Sequence, residues 1–85
     1  MAYSIQFKPA ALRQFERLPL QVQRRIGVKI ELLREDPTPA GCKRLIGLDD
    51  TWRIRIGDYR VVYQLQRRIL MVLVLKIGHR REAYR

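Results

Sequence analysis

Two groups of residues carry types and spacings that could do chemistry. The first lies in Trp52-Arg53-Ile54-Arg55-Ile56-Gly57-Asp58-Tyr59-Arg60-Val61-Val62-Tyr63, where Arg53, Arg55 and Arg60 flank a Gly-Asp dipeptide. A guanidinium offers a fork of donors that matches a phosphate or carboxylate bidentately, so three of them in one short segment suit an anion. The second is the ending Gly78-His79-Arg80-Arg81-Glu82-Ala83-Tyr84-Arg85. An imidazole, a guanidinium and a phenol at the end of a strand could serve a phosphodiester. The cation would hold the non-bridging oxygens, and the ring groups could move protons. Arg80 and Tyr84 stand four apart, which a helical turn would bring close.

For the arginines to act together, the first segment must fold as a hairpin. Gly57-Asp58 between two alternating runs predicts a two-residue turn with glycine at the first central position. Register follows: Ile56 faces Tyr59, Arg55 faces Arg60, Ile54 faces Val61 and Arg53 faces Val62. Because side chains alternate along a strand, Trp52, Ile54, Ile56, Tyr59, Val61 and Tyr63 then share an apolar face, and Arg53, Arg55 and Arg60 share the other. Trp52 and Tyr63 are therefore expected in the core rather than as platforms for stacked bases. Like charges directly opposite each other destabilise a sheet unless an anion bridges them.

The whole chain supports a polyanionic partner. Of 85 residues, 18 are basic and 8 acidic, for a net charge of +10. Residues 51–85 carry nine basic against two acidic side chains, and fourteen of the basic residues are arginine. Nucleic acid comes ahead of acidic protein or a membrane surface. One cysteine, Cys42, excludes an internal disulfide, and with a single histidine no Cys/His zinc site can be assembled within the chain, so no metal or other cofactor is expected. No signal peptide opens the sequence, and the longest apolar run, residues 69–75, is far short of the ~20 residues that cross a bilayer. The expected compartment is the cytoplasm, without membrane contact.

The remaining elements make one domain, residues 1–85. Tyr3-Ser4-Ile5-Gln6-Phe7 alternates as a short strand. Pro9 suits a first helical position, and Ala11, Phe15 and Leu18 form one helical stripe. Pro19 breaks that helix and starts a second, in which Val22, Ile26, Ile30 and Leu33 face inward while Arg24, Arg25, Lys29 and Arg34 turn outward. Asp36-Pro37-Thr38-Pro39-Ala40-Gly41 is a loop. Strands are expected at residues 43–48 (weakly), 51–56, 59–66 and 69–77, the last apolar on both faces and therefore central. The predicted fold is α+β with order β-α-α-β-β-β, a small antiparallel sheet with a helical hairpin packed on one face. A chain this short buries only ~60% of its unfolded surface, so its stability should be modest without a partner.

The hairpin residues Trp52-Arg53-Ile54-Arg55 and Asp58-Tyr59-Arg60-Val61-Val62-Tyr63-Gln64, together with Ile77-Gly78-His79-Arg80 and Tyr84, resemble the RelE branch of the RelE/ParE toxin superfamily. The likeness spans essentially the whole chain. It implies a toxin of a type II toxin–antitoxin system that enters the ribosomal A site and cleaves mRNA there, without metal, through attack of a ribose 2′-OH on the adjacent phosphate. It also implies a cognate antitoxin, held in a hetero-oligomer. By position, the family's active-site basic residues fall on Arg53, Arg55 and Arg60, with Arg80 and Tyr84 supplied by the ending. His79 stands where relatives often carry another basic side chain. The well-studied RelE pattern has lysines at the positions of Arg53 and Arg55. An arginine stays protonated, so here those positions can hold phosphate but accept no proton.

On this reading Arg60, His79, Arg80 and Tyr84 are the catalytic candidates, and Arg53 and Arg55 the RNA-binding ones. Tyr84 is the base and His79 the alternative for either proton step. Two other classes remain open: a ParE-like inhibitor of gyrase without nuclease activity, and a nucleic-acid-binding module that binds in a salt-dependent way.

Overall fold

A computed structural model describes residues 2–79 of the chain. The elements are β1 (Ser4–Phe7), α1 (Pro9–Glu16), α2 (Leu20–Leu32), β2 (Lys43–Arg44), β3 (Thr51–Ile56), β4 (Tyr59–Gln66), a single 3-10 turn (Arg67–Ile69) and β5 (Met71–His79). Both helices begin at the expected prolines. Pro9 occupies the first turn of α1, and Pro19 is the extended residue that precedes α2. Gln23 ties the two together: its side-chain amide donates to the carbonyls of Leu18 at 2.8 Å and Glu16 at 3.1 Å. Those are groups that the end of α1 leaves without helical partners.

The sheet has the order β1-β5-β4-β3-β2. Strands β2 to β5 pair antiparallel, as alternation and the short turns imply. Strand β1 instead lies parallel to β5, with Ser4 opposite Met71 and Phe7 opposite Val74, so the sheet is mixed. Alternation in residues 3–7 carries no information about the direction of the strand's partner, which comes 64 or more residues later in the chain. The weak strand expected at 43–48 shrinks to Lys43–Arg44, because the chain turns at Gly47, where φ is 88°.

The helical pair covers one face. Ala11 of α1 and Ile26, Ile30 and Leu33 of the second helix and its end pack on Ile54, Ile56, Val61, Tyr63, Val72, Val74 and Ile77. Tyr63 is fully buried, and its hydroxyl donates to the carbonyl of Pro37 at 2.7 Å, fastening the loop after α2 to the sheet. Burial pushes its phenol well above the ordinary tyrosine range. Trp52 is half-buried, with its indole N–H donated to Asp50 Oδ1 at 3.0 Å; Arg67 Nε donates to the other oxygen at 2.7 Å. Trp52 and Tyr63 are thus committed to structure, as their strand parity predicts.

One irregularity re-aims the end of the sheet. Val62 pairs with Lys76 but Tyr63 pairs with Val74, so Leu75 is an extra residue on β5. Such a bulge reverses the parity of everything beyond it. Val72, Val74 and Ile77 all reach the core despite their uneven spacing, and Lys76 and Gly78 turn to the other face. Among the described residues no helix is long and apolar enough to cross a membrane.

Candidate nucleic-acid interface

The hairpin has the predicted register: Arg55 opposite Arg60, Ile54 opposite Val61, Arg53 opposite Val62. Gly57 sits at φ 60° and Asp58 is not in the positive-φ region, as a type II′ turn requires. In such a hairpin the residues flanking the turn, Ile56 and Tyr59, exchange both backbone hydrogen bonds. Arg55 and Arg60 are then the close, non-hydrogen-bonded pair, with Cα atoms ~4.5 Å apart. Two guanidinium stems are held side by side by the backbone itself.

Neighbouring strands extend this face into rows. Gly78 pairs with Arg60, so β5 presents no side chain in the Arg55–Arg60 row. The next row runs Lys43, Arg53, Val62, Lys76 across four strands, with three cations in it. A small hollow of about 120 Å³ opens among Arg55, Gly57, Asp58 and Arg60. Arg55 is exposed and Arg60 half-buried. Arg53 is only 4% exposed, and among the described residues its Nε has no hydrogen-bond partner. Burying a cationic group without full hydrogen bonding is costly, and an anion placed on this face would offset that cost. The burial of Arg53 was not visible in the sequence, where it reads as one of three equivalent surface arginines.

His79 lies elsewhere. It pairs with Tyr59, and the two rings meet edge-on with centres 5.7 Å apart. Tyr59 packs against the core, so His79 is on the helix side of the sheet, opposite Arg53, Arg55 and Arg60. It lines a separate hollow with Gln14, Arg17, Leu18 and Pro19. Gln14 fixes this end of β5 by accepting the N–H of Ile77 at 2.8 Å. The expectation that His79 joins the arginines in one pocket is therefore corrected: the bulge at Leu75 turns it away. The strand expected at residues 69–77 instead runs from Met71 through Gly78 to His79. Arg80 and Tyr84 lie outside the described residues.

No group of three or more potential metal-ligating side chains occurs among the described residues. What the arginine face can do is bind and polarise an anion of phosphate geometry. A mixed five-stranded sheet backed on one face by a helical hairpin, with cations gathered on the other, is the architecture of a small toxin of the RelE/ParE class. The sequence matches the family described as ParE toxin of type II toxin–antitoxin system, parDE, over residues 5–84, and the chain belongs to that family.

Within the superfamily it is a RelE-type toxin. It is 30% identical to a RelE1 chain of Methanocaldococcus jannaschii, covering 100% of this chain and 98% of that one. It is 29% identical to the mRNA interferase toxin RelE of Escherichia coli, over 94% of this chain and 85% of that one. In the crystal structure of the archaeal RelE–RelB complex from Pyrococcus horikoshii, a chain with 27% identity superposes with a TM-score of 0.83, covering 98% of this chain and 100% of that chain.

Proposed function

We propose that this toxin is a metal-independent endoribonuclease that cuts mRNA in the ribosomal A site. The observation that carries the proposal is the narrow Arg55–Arg60 pair with Arg53 buried on the same face, a set of cations whose mutual repulsion a bound phosphodiester relieves. The similarity to an mRNA interferase toxin supports the same reading.

The reaction is an internal transesterification. A base removes the proton of the 2′-OH, the 2′-oxygen forms a bond to phosphorus, and the bond from phosphorus to the 5′-oxygen breaks. The 2′-oxygen ends in a cyclic phosphate, and the departing 5′-oxygen takes up a proton. Arg60 and Arg80 stabilise the charge that develops on the non-bridging oxygens, and Arg53 and Arg55 anchor the flanking backbone. Tyr84 is the base. His79 is not assigned a proton step, because it faces the other side of the sheet.

The partner that silences the toxin is an antitoxin segment of acidic, amphipathic character. A groove of about 820 Å³ between β1 and α2 suits it: Phe7, Phe15 and Val28 line an apolar floor, with Arg24 and the Arg34–Glu31 ion pair at the sides. The pair would assemble in the cytoplasm, where the mRNA is translated.

The test is to induce the toxin and map breaks in a translated mRNA by primer extension. Cuts confined to codons in the A site are expected. The family description favours one competing reading, inhibition of gyrase in the manner of ParE. Intact mRNA with blocked DNA supercoiling would establish that reading in place of the nuclease.

A further inference from the structure

The arginine face does not end at the hairpin. Strand β2 pairs with β3 only at Arg53 and Trp52, so no described strand covers the outer edge of β3 from Ile54 to Ile56. Because Arg55 belongs to a non-hydrogen-bonded pair with Arg60, its backbone N–H and C=O point out toward that bare edge. Beside the edge runs α2, and Arg25, Lys29 and Leu32 lie on one side of it at four- and three-residue spacing.

Two observations join this helix to the site. A methyl group placed on Gly57 would lie 2.9 Å from Nη2 of Arg25, so the Arg25 guanidinium rests over the tip of the arginine hairpin. Further along, a second hollow of about 280 Å³ opens between α2 and the β3 edge. Leu32, Pro39, Ala40 and Ile54 give it an apolar lining, and Lys29 and Arg55 bring charge to it. Arg55 lines both this hollow and the smaller one on the arginine face of the sheet. Arg25, Lys29 and Arg55 are exposed, and none forms an ion pair among the described residues.

We infer that the cleft between α2 and the edge of β3 is a second nucleotide subsite, occupied by the RNA residue adjoining the one cut. The base enters the apolar hollow, and its backbone phosphate lies among Arg25, Lys29 and Arg55. Arg55, standing on the ridge between the hollows, contacts two successive phosphates. The chemistry favours nucleic acid over an acidic peptide, since the site combines an apolar recess with two guanidinium forks and an ammonium beside it. This inference deepens the nuclease reading and rests on RNA being the ligand.

The test measures binding of the full chain to ribosomes programmed with a 2′-O-methylated, uncleavable mRNA, and to the free oligonucleotide, across a salt series. Removing Arg25 and Lys29 together (R25A/K29A) should flatten the plot of log affinity against log salt by about 0.7 per lost phosphate contact. The variant R68A, which removes an exposed charge at the far end of β4, should leave the slope as in the wild type. Abasic replacement, scanned along the oligonucleotide, should weaken wild-type binding at one position beside the cut. An R25A/K29A slope equal to that of R68A, no position sensitive to base removal, or no RNA binding by the wild type overturns the subsite. Cleavage of unmodified mRNA is read separately. Toxin that cuts while the slope is unchanged sinks the subsite alone, and toxin that binds through Arg25 and Lys29 without cutting sinks only the nuclease.

Discussion

His79 meets Tyr59 edge-on, ring centres 5.7 Å apart, on the side of the sheet that faces the helices. Arg60, one residue after Tyr59, points to the opposite side. An imidazole next to the scissile phosphate would have to cross the sheet to act. His79→Ala is therefore expected to retain cleavage, with a loss far smaller than the ~10²–10³ that follows removal of a charge-stabilising contact. Rates of mRNA cleavage on programmed ribosomes decide this. A loss of that larger size would return His79 to the catalytic group.

Arg60→Ala should lower the cleavage rate by ~10²–10³, while Arg55→Ala should act mainly by weakening RNA binding. Removing Arg55 also relieves the repulsion between two like charges held opposite each other, so Arg55→Ala should melt no lower than the parent. A thermal melt alongside the cleavage assay separates the two effects. Inactivity accompanied by a large drop in melting temperature would mean that the arginines are structural.

Gly57 combines a backbone at φ 60° with close approach to Arg25. Gly57→Ala must pay for a left-handed conformation, ~1–2 kcal/mol, and must push the Arg25 guanidinium aside. Lower stability and weaker RNA binding are expected together. Denaturant unfolding with binding measured on the same preparation checks both.

Tyr63→Phe removes one buried hydrogen bond, to the carbonyl of Pro37, and nothing on the arginine face. Loss of ~0.5–1.5 kcal/mol is expected, and a domain of this size shifts by ~4–8 °C for each kcal/mol. Cleavage below the melting temperature should be unaltered. A variant that is stable but inactive would contradict the assignment of Tyr63 to the core.

The hydrogen bond from Arg67 holds the Asp50 carboxyl below the usual aspartate range, with help from Trp52. A folded-state pKa below the unfolded one contributes stability that is full above the unfolded value, ~3.9, and is lost as pH falls through the folded value. The wild type should therefore lose stability below about pH 4, and Asp50→Asn should be less stable at neutral pH with a shallower acid decline. Melting temperatures from pH 7 to pH 3 test the sign.

Much of this toxin is written in local patterns. Alternation on either side of Gly57-Asp58 was enough to set the hairpin register and to place Arg53, Arg55 and Arg60 on one face. Helical spacing was enough to choose Ala11, Ile26, Ile30 and Leu33 as the inward stripe, and Pro9 and Pro19 marked where the helices start. These features depend on chain geometry within a few residues, where side-chain periodicity is a direct consequence of the backbone.

Three decisions belonged to the tertiary structure alone. The bulge at Leu75 sends His79 to the helix side, and strict alternation along residues 72–79 would have placed it with the arginines. Arg53 is buried to 4% exposure while Arg55, two residues on along the same face, remains open. The path of α2 lays Arg25 over Gly57, joining residues 32 apart in sequence. Each depends on which segments lie side by side after folding, and a one-residue slip in a strand or a change in helix position reverses the outcome without altering any local pattern.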